Sequence, residues 1–95
     1  MDFDFALLKQ RLEALEVHVS ERNISRIALH AGILAEDLEK CRAESQDKDT
    51  RDLCAEIGSS IRAVELYSDV PAIAARHLKQ AIEALRASRS VQENG

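Results

Sequence analysis

The sequence predicts an all-α protein, a small antiparallel four-helix bundle. Apolar residues recur at steps of three and four along most of the chain, which is the spacing that returns side chains to one face of a helix. One Pro and three Gly are all that punctuate 95 residues, and the clusters of turn residues that a sandwich or barrel needs between its strands are missing. The polar breaks that do occur are short, and short connections between amphipathic helices imply antiparallel neighbours.

The first helix is expected over about residues 3–20. Phe5, Leu8, Leu12, Leu15 and Val19 step by 3, 4, 3 and 4. Asp2 or Asp4 can start it, since a carboxylate accepts from free amides and suits the positive end of the helix dipole. A second series follows: Ile24, Ile27, Ala31, Leu34, Leu38 and Cys41 step by 3, 4, 3, 4 and 3. The gap of five between Val19 and Ile24 puts the two stripes out of phase, so one straight helix cannot bury both against one partner. A break near residue 20, with Ser20 or Asn23 as cap, is the preferred reading, and gives a second helix over about 23–44. Neither Gly nor Pro enforces that break, so one long or kinked helix over 3–44 is the alternative. Ala28, Ala31, Gly32 and Ala35 give the second helix a small-residue flank where another helix backbone can approach.

Residues 45–50, Ser-Gln-Asp-Lys-Asp-Thr, form the clearest turn, because their short polar side chains compete for backbone amides. The third helix is expected over about 50–67, with Leu53, Cys54, Ile57, Ile61 and Val64 inward. Ser68-Asp69-Val70-Pro71 reads as a stop and restart, with Asp69 as cap and Pro71 in the first turn, where a missing amide hydrogen costs nothing. The fourth helix is expected over about 70–87, on Ala74, Leu78, either Ala81 or Ile82, and Leu85. Residues 1–88 then make a single domain, and 89–95, which lack an apolar period, a flexible polar tail.

A domain of this length buries roughly 60 to 65% of the surface its unfolded chain exposes, enough to fold without metals or disulfides. The apolar and charged fractions, 45% and 32%, are those of a globular protein and exclude a disordered tail. No run of about 18 apolar residues is present, so no membrane span is expected, and no basic segment near the start suggests a cleaved signal peptide. A reducing cytoplasm is the expected location. The net charge of −4 argues against nonspecific nucleic-acid binding, which draws on Lys and Arg neutralising phosphates. No block of the chain is a strong single-sign field. Arg76, Lys79, Arg86 and Arg89 share one side of the fourth helix, and only three aromatics, Phe3, Phe5 and Tyr67, are available as stacking platforms.

Catalytic chemistries can be tested by residue type and spacing. Gly32, Gly58 and Gly95 form neither a P-loop nor a dinucleotide pattern, and His18, His30 and His77 lie in no zinc-peptidase or di-iron motif. Ser59 and Ser60 lack the strand-to-helix elbow of a nucleophilic serine. No enzyme, cofactor or metal site is expected. Cys41 and Cys54 stand level across the predicted second turn; they read as two small core residues, or as a redox clip between two helices.

The reading that results is a non-enzymatic interaction module, an adaptor, chaperone or inhibitor of a larger protein or nucleoprotein complex, and a homodimer or higher oligomer. Its expected contact is helix-in-groove, with Phe5, Leu8, Leu12 and Leu15 as anchors, Phe3 as added apolar area, and Glu36, Asp37 and Glu39 steering toward a basic partner. A second reading is an oligomeric binder of a small ligand or nucleotide. His18, Arg22, Arg26 and His30 step by four, and if the helix is continuous they form a stripe that suits an anionic group. A weak nucleic-acid binder acting through the fourth helix is the third.

Overall fold

The computed structural model describes the backbone of residues 4–94 and the side chains of residues 4–88. Four α-helices and no strands make up this part of the chain: α1 Phe5–Ser20, α2 Ile24–Glu44, α3 Lys48–Leu66 and α4 Pro71–Asn94. They run up, down, up and down. α2 packs on α3 and α3 on α4, and α1 closes the ring against α2 and α4. At 24 residues, α4 spans about 36 Å and sets the longest dimension of the molecule, 37 Å.

Each start is fixed by a local contact. Asp4 caps α1, its Oδ1 accepting from Leu7 N at 2.9 Å. Asn23 caps α2, accepting from Arg26 N at 3.2 Å. Asp47 caps α3, accepting from both Thr50 N at 3.1 Å and Thr50 Oγ1 at 2.6 Å. These bonds satisfy amides that have no partner inside the helix. The Asp47 cap starts α3 at Lys48, two residues ahead of the expected position. α4 opens on Pro71, and the carbonyl that receives its first bond, from Ala74 N at 3.0 Å, is that of Val70. The expected cap, Asp69, is one position too early, and its carboxylate makes no hydrogen bond among the described residues.

The chain breaks between α1 and α2, as the phase slip demands. Asn23 N donates to His18 O and Arg22 N to Val19 O, both at 3.0 Å, with Arg22 at φ 56° between them. This pair of bonds around one left-handed residue is a Schellman ending, normally built on Gly. Here an arginine takes the position, which explains why no Gly marks the break in the sequence. At the other end α4 continues to Asn94 where the sequence reading stopped near 87. Losing the apolar stripe does not by itself end a helix where neither Pro nor Gly intervenes, and Arg89, Gln92 and Glu93 are good formers.

The interior is one apolar cluster to which every helix contributes. Leu8, Leu12, Leu15 and Val19 of α1 meet Ile27, Ala31, Leu34 and Leu38 of α2, Ile57, Ile61 and Val64 of α3, and Ala74, Leu78, Ala81 and Leu85 of α4. Among the described residues no polar or charged residue is buried, so the core carries no desolvated charge to compensate. Along the small flank of α2 a Cβ on Gly32 would stand 2.8 Å from Oε2 of Glu65 on α3, the movable end of a side chain, while one on Gly58 of α3 would make ordinary contact, at 3.8 Å, with the Leu38 Cβ. Ion pairs lie on the rim, Arg11 with Asp37 at 2.8 Å between α1 and α2, and Arg62 with Glu39 at 3.5 Å and Glu65 at 3.1 Å. No helix among the described residues is long and apolar enough to cross a membrane.

Candidate functional site

The anchors expected of the first helix are not on the surface. Leu8, Leu12 and Leu15 are 4%, 1% and 1% exposed and sit in the centre of the cluster, with Phe5 packed against its edge. A partner could reach them only by opening the bundle. The physical reason is that α2, α3 and α4 alone leave a trough, and the α1 stripe is what fills it. Phe3 lies outside the described residues.

The acidic steering group is also reduced. Glu36, Asp37 and Glu39 are all exposed, but Asp37 is held by Arg11 and Glu39 by Arg62. Glu36 keeps its charge free of any ion pair among the described residues.

The predicted stripe of His18, Arg22, Arg26 and His30 does not exist along one helix, because the Schellman turn interrupts it. The hairpin brings its two ends together by another route. His18 of α1 and His30 of α2 stack with ring centroids 4.8 Å apart and planes 15° from parallel. The His18 Nδ1 is buried without a hydrogen-bond partner. Arg22 is at the turn and Arg26 one turn before His30, both exposed.

Cys41 and Cys54 are level on α2 and α3, as the sequence placed them, and both thiols are free. Burial pushes the Cys54 thiol up to about 12, and its hydrogen bond to Cys41 adds to the shift. A thiol held in its neutral form is a poor nucleophile and metal ligand. No group of three or more His, Cys, Asp or Glu side chains suited to a metal occurs among the described residues.

What the sequence reading missed is where the exposed apolar side chains collect. Ile24, Leu66, Tyr67 and Val70 are 47%, 72%, 37% and 39% exposed. All four lie at the end of the bundle where the α1–α2 and α3–α4 turns meet. Between those turns opens a groove of about 500 Å³, lined by Val19, Ser20 and Arg22 from one side and Asp69, Val70 and Pro71 from the other. Tyr67 is fixed over α4 by stacking on His77 at 5.8 Å, and His77 in turn meets Gln80 at 3.3 Å. The groove thus has an apolar floor and one charge of each sign at its rim. Leu66-Tyr67 followed by Val70 falls at the edge of the predicted third helix, and three large apolar residues beside a turn were the available signal.

A second set of exposed apolar residues lies along the side of the molecule, Leu7 and Val17 on α1 and Leu29 and Ile33 on α2, between 44% and 58% exposed. Comparison with known proteins finds no family, no characterised protein and no solved structure that matches the chain.

Proposed function

We propose that this protein is a non-enzymatic interaction module that holds another protein at the turn end of its bundle. The observation that carries this reading is that one end of the bundle both opens a groove, with Val70 in its wall, and exposes Ile24, Leu66 and Tyr67, in a domain whose core is otherwise closed. Large apolar side chains grouped at the surface mark contacts with other macromolecules, and Tyr, with its apolar ring and polar tip, is favoured at the centre of such contacts. The partner this surface suits is a protein segment with an apolar side chain for the groove floor and polar groups for Arg22 and Asp69. Adaptor, chaperone and inhibitor roles all use such a contact.

The test is a quantitative comparison of proteins captured from the native host by the wild-type chain, by Leu66→Asp/Tyr67→Ala, and by Leu7→Ser as a control on a different face. A partner held by wild type and by the control but lost from the double variant supports the reading. Equal capture by all three overturns it.

One observation favours a second reading, an anion binder at the first turn. His18 and His30 stack despite the broken helix, and Arg26 precedes His30 by one turn on α2. A thermal shift with a nucleotide panel tests it, since a ligand at 100 times its Kd adds about 2.7 kcal/mol of stability. No shift with any member dismisses it.

A further inference from the structure

The outer face of α2 carries a second stripe that the core does not use. Arg26, Leu29, Ile33, Glu36 and Lys40 step by 3, 4, 3 and 4, and every one is exposed. Leu29 and Ile33 are 58% and 44% exposed. Arg26, Glu36 and Lys40 make no ion pair among the described residues, while their neighbours Asp37 and Glu39 are already occupied by Arg11 and Arg62. Spacing of three and four over two turns is the seam of an antiparallel or parallel helix pair.

The order of residues along this seam selects the occupant. Leu29 and Ile33 lie two residues either side of Ala31, and Arg26 and Glu36 lie five either side of it. We infer that α2 is the interface of a two-fold homodimer, in which it packs antiparallel on the same helix of a second copy of this chain, with Ala31 at the level of the axis. A two-fold interface places each residue of a pair opposite its complement twice. Leu29 then meets the partner's Ile33, and Ile33 the partner's Leu29. Arg26 meets the partner's Glu36, and Glu36 the partner's Arg26. A parallel pairing sets Arg26 on Arg26 and Glu36 on Glu36, so the charges choose the antiparallel one. Lys40 falls level with the partner's Arg22, but Arg22 lies beyond the helix, in the turn, with Glu21 beside it.

Four apolar side chains and two pairs of charges make a narrow seam, smaller than the roughly 800 Å² per partner of a standard stable complex. The dimer is therefore reversible, forming with concentration and loosening as salt screens the rim charges. It leaves the turn end of each bundle open, so it stands or falls independently of the partner contact proposed above.

Sedimentation velocity over a concentration series tests this. The wild-type chain is expected to pass from monomer to dimer, and Ile33→Asp to stay monomeric at every concentration. Arg26→Glu and Glu36→Arg each turn two attractive pairs into two repulsive ones and are expected to weaken the dimer about tenfold. The double variant Arg26→Glu/Glu36→Arg restores the pairs in reverse and returns to near wild-type strength. Circular dichroism of each variant checks that the bundle is intact, and the reversing pair keeps the test valid should Ile33→Asp not fold. A wild-type chain that is monomeric throughout overturns the inference. So does a dimer indifferent to Ile33→Asp, or a double variant as weak as either single one.

Discussion

The two long faces of α2 are built on the same period and meet opposite fates. On the inner face Ile27, Ala31, Leu34 and Leu38 are almost completely removed from water, packed against all three other helices. On the outer face Leu29 and Ile33 keep about half their surface exposed and are set among unpaired charges. The difference shows that a three-four spacing states only which residues share a side. Whether that side becomes core depends on how many neighbouring helices converge on it.

Substitutions of one chemical type in the core and on the outer face of α2 separate the two environments most sharply. Leu12→Ala, on the α1 stripe that fills the trough over α2 and α4, is expected to cost about 2 to 5 kcal/mol, through lost burial and the cavity left behind. Urea denaturation reads this as a lower midpoint at unchanged slope. A loss below about 1 kcal/mol places α1 outside the cooperative core.

Alkaline pH probes the core next, through α3. The unfolded chain releases the Cys54 proton near its ordinary value of 9.0, and the folded chain only near 12. Between these values the unfolded state binds fewer protons, so stability falls as pH rises from 9 to 12. Cys54→Ala is expected to show a shallower decline over that range than wild type, and parallel profiles exclude the buried thiol as its source.

The turns that set the faces in place give smaller effects. Arg22 adopts a left-handed backbone at φ 56°, which for a residue with a Cβ costs about 1 kcal/mol relative to Gly. Arg22→Gly is expected to raise the melting temperature. A fall implicates the arginine side chain in holding the turn.

At the opposite turn, the two bonds from Thr50 to Asp47 hold the carboxyl below its ordinary 3.8. A depressed carboxyl contributes stability that is present above pH 3.8 and lost as pH falls below it. Asp47→Asn keeps an acceptor but removes the charge, so its acid limb is expected to be slightly flatter than that of wild type. Identical limbs show that the cap acts through geometry alone.

The smallest change is expected on the outer face. Leu29→Ala should alter stability by no more than about 0.5 kcal/mol, measured at concentrations low enough to keep the chain monomeric. A loss as large as that of Leu12→Ala erases the distinction between the faces.

Much of the fold was legible before the structure. Four helices, their order, the break near residue 20 and most buried positions of α2, α3 and α4 follow from the period of apolar residues and from capping chemistry at Asp4 and Asn23, although Ile24, on the same stripe as Ile27, is 47% exposed at the bundle end. The end of α4 was not legible, because the reading asked for an apolar stripe where helix propensity alone sufficed. The candidate site was least legible. By spacing alone the α1 stripe reads as surplus apolar area; in the bundle it is the fourth wall of the core. Ile24, Leu66, Tyr67 and Val70 are separated by more than 40 residues of chain at their widest, and no local pattern joins them.

The sequence by itself determined the local quantities: the number and order of the helices, their starts to within about two residues, and which side chains share a face. These depend on contacts within about four residues, so they are written in spacing. Only the tertiary structure decided which face is buried, that His18 stacks on His30 across a broken helix, and that two turns remote in sequence enclose one groove. Those outcomes depend on how many helices meet at a point, and that number is a property of the assembled bundle.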